Sequence, residues 1–180
     1  MKETSAFLLA EVKCAIEKVD DSKVEDIVES ITKAKKIFIY GVGRSGLVGQ
    51  SFAVRLVQMG MDVHFIGDMT TPIVESEDLV IIISNTGETM SAVQTANIVG
   101  RIGAKVVVVT SRAHSKLGQA ADIILEITPP RNDEKRRQNA PLGTIFELGT
   151  AIMLDSLVAV LMQKLGQTEA SLRKRHAIWV

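Results

Sequence analysis

Residues 37–46 read IFIYGVGRSG and join an unbroken apolar run to a glycine-rich turn. A continuous apolar run predicts a strand that is covered on both faces, as in a parallel sheet between two layers of helices. The following pattern, Gly41-x-Gly43-x-x-Gly46, predicts a tight turn into a helix whose first N–H groups can bind an anion. This stretch therefore indicates a strand-turn-helix unit with a ligand site at the end of the strand.

Four other segments have strand character, and segments with helical spacing lie between them. The strand segments are 63–66 (VHFI), 79–84 (LVIIIS), 106–110 (VVVVT) and 123–127 (IILEI), and the helical ones are 47–59, 91–102 and 115–120. Residues 5–18 and a segment that begins at Ser22 form two earlier helices, the second with Ser22 and Glu25 as a capping box. This alternation predicts an α/β fold, a three-layer, doubly wound, five-stranded parallel sheet of flavodoxin-like or Rossmann-like type with helices on both faces.

The chain is predicted to form a single domain over residues 1–180. Its parts are N-terminal helices (1–34), an α/β core (36–127), a polar loop (128–140), a long helix (141–166) and a C-terminal tail (167–180). Pro141 suits the first position of the long helix, and Gly166 suits its end.

Composition excludes several classes of protein. Lys and Arg number 21, and so do Asp and Glu, so the net charge is zero. A nucleic-acid-binding protein normally has a basic surplus, and only 4% of the residues are aromatic, which leaves few platforms for base stacking. The hydrophobic share of 46% is too high for a disordered chain. We expect a globular protein without a nucleic-acid partner.

Cysteine use and hydropathy bear on the compartment. The single cysteine, Cys14, cannot form an internal disulfide and suits a reducing environment. The longest segment without a charged residue is 89–100, shorter than the roughly 18 apolar residues that a membrane span requires. No secretory signal is visible at the N-terminus. The expectation is a cytoplasmic protein without a membrane partner.

The segment after the third strand, SNTGET at 84–89, concentrates hydrogen-bonding groups between a strand and a helix. Ser84, Thr86 and Thr89 can donate to phosphate oxygens, Asn85 can assist, and Gly87 lets the main chain approach. Helix capping alone would require one such residue rather than four. The segment predicts a phosphomonoester site, and Glu88 is expected to complement the helix dipole there.

The turn after the first strand admits three interpretations, the simplest of which is a tight turn between strand and helix without a ligand. Gly43, Arg44 and Ser45 can contact the hydroxyls of a sugar phosphate of five to seven carbons held by segment 84–89. Alternatively, the glycine pattern binds a dinucleotide, with Asp68 on the ribose, although this pattern alone is a weak signal.

A third position, Glu147, begins an apolar face continued by Ala151 and Leu154, where a carboxylate is unusual. It is either a buried general base or an exposed partner of the helix dipole.

Three motifs together resemble the sugar isomerase (SIS) domain family, and within it the 6-phospho-3-hexuloisomerases. They are GVGRSG at 41–46, SNTGET at 84–89 and PLGTIFE at 141–147, and the resemblance covers nearly the whole chain. It implies phosphate contacts from segment 84–89, a sugar contact from Ser45 and a catalytic base at Glu147. It also implies that His176 acts at a neighbouring subunit's site, within a dimer of dimers. The residues after His176, AIWV at 177–180, depart from the family's usual ending.

The implied reaction converts 3-hexulose 6-phosphate and fructose 6-phosphate into each other through an enediolate, without a cofactor. The three histidines and one cysteine lack the spacing of a metal site. Two other functions stay open: a different sugar-phosphate isomerase of the SIS family, or a non-catalytic sugar-phosphate sensor.

Segment 128–140 is either a solvated loop or a lid that carries Arg131, Arg136 and Arg137. The apolar long helix and N-terminal helix indicate a homo-oligomer, and the resemblance implies a tetramer.

Overall fold

The computed structural model describes residues 1–130 and 133–177. In chain order the elements are α1 (Lys2–Ile16), α2 (Asp21–Lys33), β1 (Ile37–Gly41), α3 (Gly43–Gln58), β2 (Val63–Phe65), β3 (Leu79–Ile83), α4 (Met90–Ile102), β4 (Lys105–Thr110), α5 (Lys116–Gln119), β5 (Ile123–Glu126), α6 (Glu134–Asn139), α7 (Thr144–Lys164) and α8 (Glu169–Arg173). The strands form one parallel sheet in the order β2-β1-β3-β4-β5. The predicted doubly wound α/β fold is confirmed.

Successive residues of the inner strands point into two separate cores. In β1, Ile37 and Ile39 join the core beneath α1, α2, α3 and α7, while Phe38 joins the core beneath α4 and α5. The strands β3 and β4 alternate in the same way. This arrangement explains the unbroken apolar runs, since each fully buried Ile or Phe stabilises the fold by about 1.5–3 kcal/mol.

The sheet order places the ends of β1 and β3 at the point where the chain reverses its direction of winding. From β1 the chain crosses to β2 on one side, and β3 lies on the other side. Gly41 at the end of β1 is paired with Ile83 at the end of β3. The segments that leave these two strands therefore start level with each other, at the edge where doubly wound sheets bind ligands.

Helix α3 begins inside the glycine motif, four residues before the predicted start at residue 47. Gly43 has a φ of +59°, which favours glycine. A Cβ atom at Gly46 would lie 2.5 Å from the carbonyl oxygen of Gly41. The motif thus lets the first turn of α3 rest directly on the end of β1, and only Val42 separates the strand from the helix.

The predicted capping box at Ser22 and Glu25 is wrong. The N-cap of α2 is Asp20, whose carboxylate accepts hydrogen bonds from the Ser22 N–H at 2.9 Å and the Ser22 hydroxyl at 2.7 Å. These bonds lower the pKa of Asp20 below its ordinary value. Aspartate is as good an N-cap as serine, so the earlier of two suitable residues took the position.

The C-terminal third contains more helix than the sequence predicted. Segment 128–140 is not wholly a loop, because α6 lies within it, capped by Asp133. The long helix begins at Thr144 instead of Pro141, since a turn closed by the Thr144 N–H and the Pro141 carbonyl precedes it. Leu142 in this turn has a φ of 55°, which non-glycine residues rarely adopt. Helix α8 lies in the predicted tail, and Gly166 follows α7 as expected.

Helix α7 has the length and composition of a membrane-crossing helix. It has 21 residues, and its most apolar window has a mean hydropathy of 1.9. More than half of that window, 56%, is buried inside the fold, where α7 packs against α1 and α3. A core helix has the same composition, so hydropathy alone does not assign α7 to a membrane.

We predict opposite effects on stability for two Gly→Ala substitutions in helices. Gly46→Ala should lower the free energy of unfolding by about 1–3 kcal/mol, because the methyl group meets backbone atoms of Gly41. Gly100→Ala in α4 is the matched control, since a Cβ there meets no atom within 4 Å among the described residues. It should raise the free energy of unfolding by about 0.5–1 kcal/mol. Urea denaturation measures both, and equal stability of the Gly46 variant and the unmodified protein would refute the packing argument.

Candidate active site

Segment 84–89 connects β3 to α4 and brings two hydroxyls together. The Oγ of Ser84 lies 3.2 Å from the Oγ1 of Thr89. Thr89 occupies the N-cap position of α4, yet its hydroxyl caps none of the N–H groups in the described chain. The capping explanation of Thr89 therefore does not hold. Both hydroxyls are beside the first turn of α4, whose N–H groups have no partner within the helix itself.

A small cavity of about 110 Å³ lies at this helix start. It is below the roughly 300 Å³ at which pockets for drug-sized ligands begin, so it suits one compact polar group. The cavity unites predicted residues from both strand ends; its lining is Val42, Ser45, Ile83, Ser84, Asn85, Thr86, Thr89 and Ala92. Gly43 and Arg44 lie just before Ser45, in the first turn of α3.

Hydrogen bonds from neighbouring segments hold the backbone of segment 84–89. The carbonyl of Asn85 accepts from the N–H and the hydroxyl of Ser111, at 3.1 and 2.7 Å. The carbonyl of Gly87 accepts from the Leu117 N–H at 3.0 Å. Gly87 has a φ of +65°, and a Cβ atom there would lie 2.0 Å from the hydroxyl of Ser115. Only glycine fits this position, so the geometry of the segment is fixed before any ligand binds.

Glu88 points toward α5 instead of the cavity. Its carboxylate accepts from the Lys116 N–H at 3.2 Å and pairs with the Lys116 ammonium at 3.2 Å. The backbone bond from Lys116, followed by the side-chain contact, lowers the pKa of Glu88 below its ordinary value. Glu88 was among the predicted binding residues, but its side chain anchors the segment to the next helix, because both the N–H and the ammonium of Lys116 bind the carboxylate.

Glu147 lies in the first turn of α7 and is buried, with 9% of its surface exposed. The Nε of Arg44 donates to Oε2 of Glu147, so the glycine motif and the long helix meet at this ion pair. Asn85 is close as well: a Cβ atom built on Gly143 would lie 3.0 Å from Nδ2 of Asn85 and 3.1 Å from Oε1 of Glu147. Of the two readings from sequence, an exposed helix start is wrong and a buried carboxylate is confirmed.

These groups can perform proton transfer beside a bound anion. A buried carboxylate can accept a proton, and the guanidinium of Arg44 can stabilise negative charge that develops nearby. The side chain of Arg44 is 64% exposed, so it is free to leave Glu147 when another anion enters. Hydroxyls and helix N–H groups are next to this pair.

A second, larger cavity of about 460 Å³ adjoins the first and shares Asn85 and Thr86 with it. Its other lining residues are Ser111, Arg112, Thr128, Pro129, Arg136, Leu142 and Gly143. Arg112 was not predicted from the sequence, although its position two residues after β4 places it at the same sheet edge. Arg136 was a lid candidate and lines this cavity, Arg137 is exposed on α6, and Arg131 lies outside the described residues.

His176 lies in a different part of the chain from Glu147. It lines a groove of about 440 Å³ together with Val54, Val57 and Phe65, and Asp68 is in the same groove. The Nδ1 of His176 is 3.0 Å from the carbonyl oxygen of Ala177. One chain therefore does not bring His176 to the carboxylate. The divergent residues 178–180 lie outside the described part of the chain.

Metal ligands do not cluster in the described residues. Within 1–130 and 133–177, no group of three or more His, Cys, Asp or Glu side chains could hold a metal ion. The functional groups at the sheet edge are hydroxyls, amides, carboxylates and guanidiniums.

Comparison with known proteins adds family information. Residues 30–154 match the SIS domain. The 3-hexulose-6-phosphate isomerase of Methanocaldococcus jannaschii is 36% identical, over 86% of this chain and 83% of its own length. The 3-hexulose-6-phosphate isomerase of Bacillus subtilis is 31% identical over 98% of both chains.

A solved structure agrees with these relatives. A crystal structure from Methanococcus jannaschii, for which the function of a 3-hexulose-6-phosphate isomerase was inferred, superposes with a TM-score of 0.86. It is 32% identical and covers 96% of this chain and 98% of its own. The match over most of the sequence and the shared fold show that this chain belongs to the SIS domain family.

Proposed function

We propose that the protein is an isomerase that interconverts 3-hexulose 6-phosphate and fructose 6-phosphate. The observation that carries this proposal is the buried carboxylate of Glu147, paired with Arg44 beside the small polar cavity at segment 84–89. Relatives that are 36% and 31% identical are named for this reaction.

In this proposal the phosphate group occupies the small cavity. The hydroxyls of Ser84, Thr86 and Thr89 and the first N–H groups of α4 donate to its oxygens. Neutral donors and a helix dipole suffice, which agrees with the absence of net charge on the chain. The sugar then extends from the cavity toward Glu147, with Ser45 near its hydroxyls.

The proposed chemistry moves a carbonyl by one carbon. Starting from the 3-ketose, Glu147 removes the proton on C2, and the electron pair forms a C2–C3 double bond as the C3 carbonyl becomes an enediolate oxygen. The O2 hydroxyl passes its proton to O3, the electron pair of the double bond takes the proton back from Glu147 at C3, and the carbonyl forms at C2. Arg44 stabilises the enediolate charge after leaving Glu147. Atoms and electrons balance without a redox cofactor.

We predict that Glu147→Gln lowers kcat by roughly 10²–10⁴-fold, because the amide cannot accept the C2 proton. Binding of fructose 6-phosphate, measured by calorimetry, should change little. Asp155→Asn, an exposed acid on the same helix, is the control and should retain turnover. Near-normal kcat in the Glu147 variant would remove the assignment of the base.

We predict that Thr89→Val weakens binding of fructose 6-phosphate by about tenfold to a hundredfold, since one hydrogen bond to a charged group contributes about 1.5–3 kcal/mol. Thr95→Val removes the same hydroxyl inside α4, where it donates to the Ser91 carbonyl, and should leave the affinity unchanged. If both variants bind equally well, the phosphate is held elsewhere.

We further propose that the active form is a homotetramer, a dimer of dimers, in which a neighbouring subunit supplies His176. Apolar side chains support an oligomer: Ile152 and Val160 of α7 are 46% and 43% exposed, and Leu9 of α1 is 69% exposed. A position of His176 in a groove away from Glu147 agrees with a role at another subunit's site. Light scattering should give the mass of four 19.5 kDa chains.

Subunit complementation tests the role of His176. Glu147→Gln and His176→Gln should each reduce turnover when pure. Unfolding and refolding the two variants together should restore part of the activity, because some sites in mixed oligomers then combine an intact Glu147 with an intact His176. Mixtures that are no more active than the pure variants would place both residues in one chain's site or remove His176 from the reaction.

The proposed setting is the ribulose monophosphate pathway in the cytoplasm, in keeping with a single cysteine in the chain. A substrate panel distinguishes this proposal from its alternatives. Turnover of 3-hexulose 6-phosphate supports the proposal, and turnover of pentose or heptose phosphates alone supports another isomerase of the family. Binding without turnover of any substrate supports a sensor.

A further inference from the structure

Two arginines line the larger cavity and give it positive charge. Arg112 follows β4, and Arg136 lies on α6. In the described part of the chain, no carboxylate oxygen lies within 4.0 Å of a guanidinium nitrogen of either arginine, the distance that defines an ion pair. The charge of Glu88 interacts with Arg112, but that carboxylate is already bound to Lys116.

The Arg136 guanidinium is only partly satisfied. Its Nε is buried and has no hydrogen-bond partner among the described residues. Its Nη2 reaches the Leu142 carbonyl at 3.5 Å, the outer limit of a hydrogen bond. A cationic group with so few acceptors is costly to hold in the fold, so an anion in this cavity would stabilise the guanidinium through its charge.

The position of the larger cavity relates it to the phosphate site. Both cavities contact Asn85 and Thr86, and Gly143 joins the larger one to the neighbourhood of Glu147. A phosphosugar held by segment 84–89 would therefore direct its far end toward Arg112 and Arg136. Fructose 6-phosphate ends there in a neutral hydroxymethyl group, which does not use two guanidiniums. Arginine is best matched by phosphate or carboxylate, which it binds through two parallel hydrogen bonds.

We propose that Arg112 and Arg136, with the hydroxyl of Thr128, form a second anion subsite that selects phosphosugars with another anionic group at the end opposite the first phosphate. The ligand class is sugar bisphosphates and phosphosugar acids, which occupy both subsites and exclude the monophosphate substrate. The inference rests on the proposed function, since it takes segment 84–89 as the site of the first phosphate.

Calorimetry at fixed ionic strength tests the subsite with three probes: fructose 6-phosphate, fructose 1,6-bisphosphate and 6-phosphogluconate. The unmodified protein should bind at least one of the doubly anionic probes about tenfold or more tightly than fructose 6-phosphate, as expected for a hydrogen bond to a charged group. The bisphosphate and the acid together identify whether phosphate or carboxylate is preferred. Inhibition of isomerisation by the preferred probe should be competitive.

In the double variant Arg112→Gln/Arg136→Gln, the affinity for the preferred doubly anionic probe should fall to about that for fructose 6-phosphate, so that the ratio of these two affinities is about one. Arg101→Gln, an exposed arginine at the end of α4, is the matched control for general charge and should keep the ratio. Unfolding curves show whether each variant is folded. If the double variant is not folded, the two single variants are measured in its place.

Three results would overturn the inference. The unmodified protein could bind all three probes equally well, or the preference for a doubly anionic probe could survive in the double variant. The double variant could also lose as much affinity for fructose 6-phosphate as for the doubly anionic probe. The last result would mean that the arginines hold the single phosphate. Failure of the proposed function looks different, because the unmodified protein would then bind fructose 6-phosphate without turning over 3-hexulose 6-phosphate, or would not bind it at all.

Discussion

The contact between the backbone of Gly41 and that of Gly46 is the constraint on which the site depends. A Cβ atom at Gly46 would lie 2.5 Å from the Gly41 carbonyl oxygen, so α3 can rest on the end of β1 only because side chains are absent. This contact fixes the direction of α3 and therefore the positions of Arg44 and Ser45 in its first turn. The pairing of Gly41 with Ile83 then sets segment 84–89 level with that turn.

A chain without net charge can still be organised around an anion, because the relevant charges are local. The parallel sheet directs its carboxyl ends and the starts of α3 and α4 to one edge, where helix dipoles and free N–H groups favour negative charge. Two acids near this edge are already paired with cations: Glu88 is bound to Lys116, and Glu147 to Arg44. The polar side chains that line the cavity are hydroxyls and an amide, so a phosphate would meet donors there instead of a competing carboxylate.

The sequence predicted the parts of this protein that depend on strong local patterns. The strands were recognised because both faces of each inner strand are buried, and segment 84–89 because hydroxyls are concentrated at a strand end. Boundaries that depend on close backbone contact or on competing caps were wrong: α3 starts within the glycines, and Asp20 displaces Ser22 as N-cap. The direction of the Glu88 side chain could not be predicted, because it depends on where α5 begins in space. The same holds for Arg112, which enters the site through the order of the strands in the sheet.

The ion pair of Arg44 and Glu147 reconciles a buried carboxylate with its proposed role as a base. A buried, ionised carboxylate without a partner would be strongly destabilising, and Arg44 supplies that partner. The partner is on a mostly exposed side chain, whereas the carboxylate is held in the first turn of a buried helix. When a substrate develops negative charge next to this pair, the exposed side chain of Arg44 can move toward that charge, while the buried Glu147 keeps its position. The asymmetry in burial thus supports the proposed roles, proton transfer for Glu147 and charge stabilisation for Arg44.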